Sequence, residues 1–516
     1  MITPPEGTSL NAARRERELA EARELVADVL VVGLGATGAG AALDAASRGL
    51  SVVAIDAHDL AFGTSRWSSK MIHGGLRYLA KGQVGVARES AVERGILLAR
   101  TAPHLVRAFP YLLPLTPGVP PGKAATVMAG YALGDALRAA AGTPRRLLPG
   151  PSAIGAERAL ALAPPLPRRG LRGALLSWDG RLADDARLVV ALARTAAGYG
   201  ARVLTRCRAL ALSGEGAEVR DELTGAVFAI RARAVVNAAG VWAGGLAPSV
   251  ELRPSRGTHL VLRPGTLPGL RAGLHVPVPG TANRFALVLP QPDGRVYVGL
   301  TDEPLDGPVP DVPEPPEEDV RFLLELLGTV LESPVPRGEV AGAYAGLRPL
   351  LAGNGARTAD LSRRHAVLAS PEGVVTVVGG KLTTYRRMAQ DAVDRAVALS
   401  GLQAGASRTA LLPLVGAPAG PLRGPWAPPR PMDARTARLA ALYGTEAPAV
   451  LALSEADPAL AEPVVPGLPV TRAELVWAVR HEGALDAADL LDRRTRIGLV
   501  PEDRAAALPA ARAALA

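Results

Sequence analysis

Cysteine is almost missing from this chain. Cys207 stands alone among 516 residues, so neither a disulfide framework nor a thiolate metal cluster can be assembled within it, and a reducing compartment is expected. Aromatic residues are scarce too, at 3%, which leaves few platforms for stacking bases. Positive charge comes from scattered arginines rather than lysine blocks, and the two facts together argue against a nucleic-acid partner. No apolar run approaches the ~18 residues of a membrane-spanning helix. The opening stretch MITPPEGTSLNAARRERELAEARELVAD lacks the apolar core of a secretory signal. Any membrane contact is therefore expected to be peripheral, and the net charge of +9 suits an anionic lipid surface or an anionic substrate.

What the chain does have is length and apolar content. With 48% hydrophobic residues over 516, it exceeds what one core holds, and two or three domains are expected. The first patterned segment, ADVLVVGLGATGAGAALDAASRGLSVVAIDA, reads as strand, glycine turn, helix and second strand. The strand runs Val29 to Val32 and the second Ser51 to Ile55, closed by Asp56. A GxGxxG run is weak by itself in a chain with 56 glycines; its setting between strand and helix, with an acid about twenty positions on, gives it weight. Gly33 permits the tight turn, Gly35 lets a pyrophosphate approach the backbone beside Thr37, and Gly38 lets helix and strand pack closely. The helix N-terminus offers free N–H groups to the phosphates, and Asp56 is suited to accept from a ribose hydroxyl.

After Asp56 the chain does not continue into further short strand-helix units. It enters GTSRWSSKMIHGGLRYL, which is too polar for a third strand and suits an extended cofactor lying across it. ARAVVNAAGVWA, with a strand Ala234 to Asn237 followed by Ala239 and Gly240, repeats the logic of strand and small-residue turn. So does GVVTVVGGKLTTYRRMAQDAVDRAVAL, with a strand Val374 to Val378, then Gly379, Gly380 and a helix from about Leu382. The dinucleotide domain is therefore discontinuous. The runs SRGTHLVLRP, NRFALVLPQP and GRVYVGLTDEP suit an antiparallel sheet, LLPLVGAPAGPLRGPWAPPRPMD a linker, and the Ala- and Leu-rich remainder a helical domain.

Taken in order, VVGLGATGAGAALDAASRGLSVVAID, FGTSRWSSKMIHGGLRYL, VVNAAGVWA, GTHLVL, GLTDEP, AGLRPL, LSRRH and GGKLTTYR resemble the FAD-dependent glycerol-3-phosphate dehydrogenases. The likeness runs from about Asp28 to Arg386, and the closing AELVWAVRHEGALDAADLLDRRTRIGL is similar to that family's C-terminal domain. It departs at Leu34, where the family typically has a glycine and where the side chain is expected to point away from the pyrophosphate. It departs again at Leu300, which replaces a polar residue.

The resemblance implies an α/β fold. A discontinuous Rossmann-like FAD-binding domain of the glutathione-reductase/D-amino-acid-oxidase type is expected over residues 28–100, 175–250 and 340–400. An antiparallel substrate domain is expected over 101–174 and 251–339, after a polar extension, 1–27. A Pro-rich linker, 401–432, and a helical domain, 433–516, complete the expectation. The activity implied is oxidation of sn-glycerol 3-phosphate to dihydroxyacetone phosphate, with hydride passing from C2 to the flavin N5 and electrons onward to a quinone, ubiquinone or menaquinone. The place implied is the inner face of the cell membrane, on the cytoplasmic side. An oxygen-using oxidase stays open as an alternative, as do a monomer and a homodimer. An amino-acid or 2-hydroxy-acid oxidase has no use for so many cations, and a non-catalytic flavin scaffold predicts a flavin that substrate does not bleach.

By motif position, the resemblance puts Arg77, Tyr78, Arg363 and Lys381 on the substrate phosphate, where the arginine fork donates in parallel. Arg348 and His259 face the C2 hydroxyl, with His259 as general base kept unprotonated by a cationic neighbour. Gly63, Thr64, Ser65, Ser68, Ser69 and Lys70 are expected to donate to the pyrophosphate and the flavin edge. His73, Gly74 and Gly75 bring backbone close to the ring. Gly379, Gly380, Leu382 and Thr383 open a helix aimed at the flavin pyrimidine edge.

Overall fold

The computed structural model describes residues 7–75, 82–281, 284–352, 364–420, 422, 424 and 433–516. Two sheets organise it. In the first, strands Ala366–Ala369, Val374–Val378, Val227–Asn237, Val26–Val32, Val52–Ile55 and Arg202–Leu204 lie side by side. The four pairings that run from Val374–Val378 to Arg202–Leu204 are parallel. Strand Val52–Ile55 is buried at every position, as expected of a parallel strand covered on both faces. Helices Ala36–Ser47, Asp185–Gly198 and Tyr385–Ser400 cover one face of this sheet. Gly40 lets the first and last of them approach, since a Cβ there would lie 3.1 Å from both Ala389 Cβ and the Tyr385 ring.

The second sheet has ten strands in the order Glu303–Pro304, Ser255–Leu262, Val296–Gly299, Phe285–Pro290, Gly273–Pro277, Val106–Pro114, Ala174–Leu182 and Met71–Ile72, with Val340–Arg348 and Ser152–Ile154 joined at the side. Helix Glu317–Gly328 packs Val320, Leu323 and Leu327 into its core. The sheet is not wholly antiparallel as expected: Gly273–Pro277 runs parallel to Val106–Pro114.

Four expected assignments shift. Strand Val340–Arg348, assigned from sequence to the dinucleotide domain, pairs along its length with Ser255–Leu262 in the second sheet. Strand Ala174–Leu182 likewise pairs residue for residue with Val106–Pro114. Residues 7–24 are not a loose extension: helix Ala12–Glu24 buries Leu19 and Ala22 on the far face of the first sheet, and Arg15 reaches Asp221 and the Thr205 carbonyl. Nor is the stretch from 401 to 420 a free linker. Leu402, Leu412 and Leu414 enter the main core, and Val415 N–H donates to Thr195 Oγ1.

The C-terminal helices, among them Ala434–Tyr443, Arg472–His481 and Pro501–Leu515, attach through buried charge. Arg187 donates twice to Glu482, and Asp59 accepts from Arg493 and twice from Arg494. No helix of the described residues is long and apolar enough to cross a membrane.

Candidate active site

The carboxyl ends of the parallel strands converge on one cleft, the usual ligand position in such sheets. Gly33 N–H donates to the Ile55 carbonyl and Ala238 N–H to the Val32 carbonyl, both at 2.8 Å. Gly33 has φ +98, and a Cβ there would sit 2.6 Å from the Ala238 carbonyl oxygen. A Cβ at Gly38 would run into the Gly33 carbonyl oxygen. Leu34 is fully buried in the core, pointing away from the cleft, and its N–H donates to Asp56 Oδ2 at 2.7 Å. Asp56 Oδ1 accepts from His58 N–H at 2.8 Å. Burial pushes this carboxyl up to about 6.

The cleft has a volume of about 760 Å³. Its walls include Asp56, Ala209, Leu246, Ser69, His259, Arg348 and Lys381. Gly33, Gly35, Thr37, Gly63, Thr64, Ser65, Ser68, His73, Ala239, Gly240, Gly379, Gly380, Leu382 and Thr383 also line it. Gly38, Lys70, Gly74 and Gly75 are not among its lining residues. Arg77, Tyr78 and Arg363 lie outside the described residues.

Several expected roles change. Lys70 does not reach into the cleft: it is 4% exposed, and its Nζ donates to Asp185 Oδ2 at 3.2 Å, because a buried ammonium needs a counter-charge. Ser68 Oγ donates to the same carboxylate oxygen at 2.7 Å, and Thr64 Oγ1 donates to the Leu347 carbonyl at 2.6 Å. Ser65 Oγ accepts from Ala36 N–H, so it caps the helix Ala36–Ser47. Gly74 N–H donates to Asp179 Oδ1 at 3.2 Å, and Arg94 reaches the same oxygen. The helix expected from Leu382 starts at Tyr385 after a single tight turn, Leu382–Thr384.

At the polar end, His259 is 1% exposed. Its Nε2 lies 2.8 Å from Ser69 Oγ, its Nδ1 is buried without a hydrogen-bond partner, and its ring stacks on Tyr344 at 4.8 Å. Burial first, then the charges of Lys70 and Arg348, push the imidazole down to about 3. Arg348 Nη1 donates to Ser255 Oγ and Asp302 Oδ1, and Nη2 to the Thr301 carbonyl. Lys381 Nζ donates to Ser90 Oγ at 2.6 Å. Sequence reasoning missed Asp185, Asp302 and Tyr344. The last two sit in or beside the quoted motifs GLTDEP and AGLRPL, whereas Asp185 carries no local signal.

A dinucleotide fits this cleft on the structure's own terms. A Cβ at Gly35 would crowd Ser65 Oγ at 2.9 Å, the glycine turn leaves backbone bare at the mouth of a helix N-terminus, and an acid closes the second strand. The profile described as FAD dependent oxidoreductase matches residues 28–386, and the chain belongs to that family. A second profile, the C-terminal domain of alpha-glycerophosphate oxidase, matches residues 407–516. Glycerol-3-phosphate dehydrogenase 1 of Mycobacterium tuberculosis is 54% identical over 97% of both chains. A mitochondrial glycerol-3-phosphate dehydrogenase of Arabidopsis thaliana is 34% identical over 93% of this chain and 80% of its own. The glycerol-3-phosphate dehydrogenase of Bacillus halodurans, solved with FAD, superposes with a TM-score of 0.75 at 27% identity, over 98% of this chain and 94% of that one. Within the family, then, this chain falls among the FAD-dependent glycerol-3-phosphate dehydrogenases.

Proposed function

We propose that this protein oxidises sn-glycerol 3-phosphate to dihydroxyacetone phosphate and delivers the electrons to a membrane quinone, ubiquinone or menaquinone. The observation that carries this reading is that His259, Arg348 and Lys381 all line one cleft whose other walls fit FAD. FAD supplies the hydride acceptor when bound; the remaining tasks fall to the chain.

Arg348 is oriented by three acceptors, so its guanidinium meets the substrate in a fixed attitude. His259 is oriented through Nε2, which lies 2.8 Å from Ser69 Oγ, and its imidazole takes the C2 hydroxyl proton as general base. The cations that hold the imidazole neutral keep it ready as a base, and an arriving phosphate dianion raises its affinity for the proton. Lys381 holds the phosphate end, joined by Arg77, Tyr78 and Arg363 on the strength of their motif positions. The net charge of +9 supports docking on anionic lipid at the inner face of the cell membrane.

The test is anaerobic mixing of the FAD-loaded protein with glycerol 3-phosphate while following flavin absorbance, with glycerol and lactate as controls. Bleaching by glycerol 3-phosphate alone is expected, and adding a quinone or air then identifies the acceptor. Flavin that stays yellow removes the reading.

A further inference from the structure

The segment Arg66 to Lys70 is held by charge from below. Asp185 opens the helix Asp185–Gly198, and its Oδ2 accepts from Ser68 N–H at 2.9 Å, Ser68 Oγ at 2.7 Å and Lys70 Nζ at 3.2 Å. Lys70 Nζ also donates to the carbonyls of Arg66 and Ser68. It lies 4.9 Å from the centroid of Tyr344, the ring stacked on His259. The Lys70 backbone has φ +52, a left-handed conformation that a side-chain-bearing residue holds only where its surroundings demand it. Arg496, from the C-terminal domain, completes the cluster: its Nε is 3.2 Å from Asp184 Oδ2, its Nη2 is 3.9 Å from Asp185 Oδ1, and it donates to the Arg66 carbonyl.

We propose that Lys70 is a positioning residue for proton transfer at His259: anchored by Asp185, which Arg496 braces from the other side, it holds its neighbour Ser69 on Nε2 and sets a fixed positive charge near the imidazole. The inference rests on the base role given to His259 above. The groups bearing on that imidazole are Lys70, Arg348 and Asp185, with Tyr344 stacked on it; the first two oppose its protonation and Asp185 favours it. Those bearing on Lys70 are Asp184, Asp185 and Arg496, with the rings of Tyr297 and Tyr344 beside it. Burial brings the ammonium down to about 8, so it stays charged at neutral pH.

The test is a pH titration of ¹³C-histidine-labelled, FAD-loaded protein by NMR, with the His259 signal assigned from its absence in His259→Asn. In the native chain the signal is expected to stay in the neutral form from pH 8 to 5. In Lys70→Met a like charge is gone and Asp185 is left behind, and both changes favour the imidazolium. The His259 titration should therefore rise by about two to three units, into the range of about pH 5 to 6, with an acid limb in kcat/KM at the same pH. Lys70→Arg should restore native behaviour, and Lys70→Met/Asp185→Asn should bring the titration partly back down. If Lys70→Met does not load FAD, Lys70→Gln, which keeps donors for the two carbonyls, carries the same expectation. An unmoved His259 signal in a folded, FAD-loaded variant overturns the coupling. A moved signal without a matching limb upholds the coupling and removes His259 as the base.

Discussion

Arg348 and Asp302 are joined at 3.1 Å on the wall of the cleft, and Asp302 accepts from Ser255 Oγ as well. The carboxylate thus orients the guanidinium while tying strand Ser255–Leu262 to the turn after Gly299. Arg348→Lys keeps a positive charge but cannot span Ser255, Asp302 and the Thr301 carbonyl from one planar fork. A charge-assisted hydrogen bond contributes about 1.5–3 kcal/mol, so kcat/KM for glycerol 3-phosphate should fall about ten- to a hundredfold. FAD content should be unchanged, as read by steady-state kinetics and flavin absorbance.

Gly33 and Gly35 should answer differently to alanine. At Gly33 the new methyl meets the Ala238 backbone and an unfavourable φ, whereas at Gly35 it meets only the end of Ser65. Gly33→Ala should cost about 1–3 kcal/mol or more of stability and lose FAD; Gly35→Ala should keep the Tm of the FAD-free native chain and lose FAD alone. Thermal melts and the flavin-to-protein absorbance ratio check both.

The pH profile follows from His259. A histidine whose folded value is pushed below its ordinary one is deprotonated above that value, so His259, at about 3, is a free base throughout pH 5 to 8. kcat/KM reports free enzyme and free substrate. Its acid limb should be a single proton near the second ionisation of a phosphate monoester, about pH 6. A second limb from the enzyme between pH 5 and 8 would contradict the burial of this ring.

Asp59 is the test of how the C-terminal helices are attached. Arg494→Met leaves a fully buried carboxylate short of two of its three hydrogen bonds from arginine. Breaking such a pair on one side costs about 3–5 kcal/mol. Asp59→Asn/Arg494→Met should recover much of that loss, and differential scanning calorimetry of the two variants decides.

What the sequence made legible was local. Gly33, Gly35, Gly38 and Asp56 act through backbone geometry within one strand-helix-strand unit, so spacing alone exposed them. The motif residues around Gly379 and Lys381 were legible for the same reason. Lys70 was misassigned because its partner, Asp185, lies 115 positions away, and nothing near Lys70 shows that a carboxylate awaits it below the wall. Ser69 was placed on the cofactor rather than on His259, which is 190 positions on. Strand Val340–Arg348 was given to the wrong sheet because its alternation permits either one; only pairing with Ser255–Leu262 settles the matter. The stretch from 401 to 420 looked like a linker by its prolines, while Leu402, Leu412 and Leu414 were the better guide.

The buried pairing of Asp59 also fixes an order of events during synthesis. Its first partner, Arg493, follows 434 residues later in the chain, and Glu482 likewise supplies the counter-charge for Arg187 from 295 residues away. While the ribosome is still adding those last residues, the nascent dinucleotide-binding domain carries an acid and a base that its own core cannot neutralise. Domains made first generally fold first, but these two buried charges of this one are neutralised only when the end of the chain arrives. A chain that stops before Glu482 lacks the counter-charges of both Arg187 and Asp59.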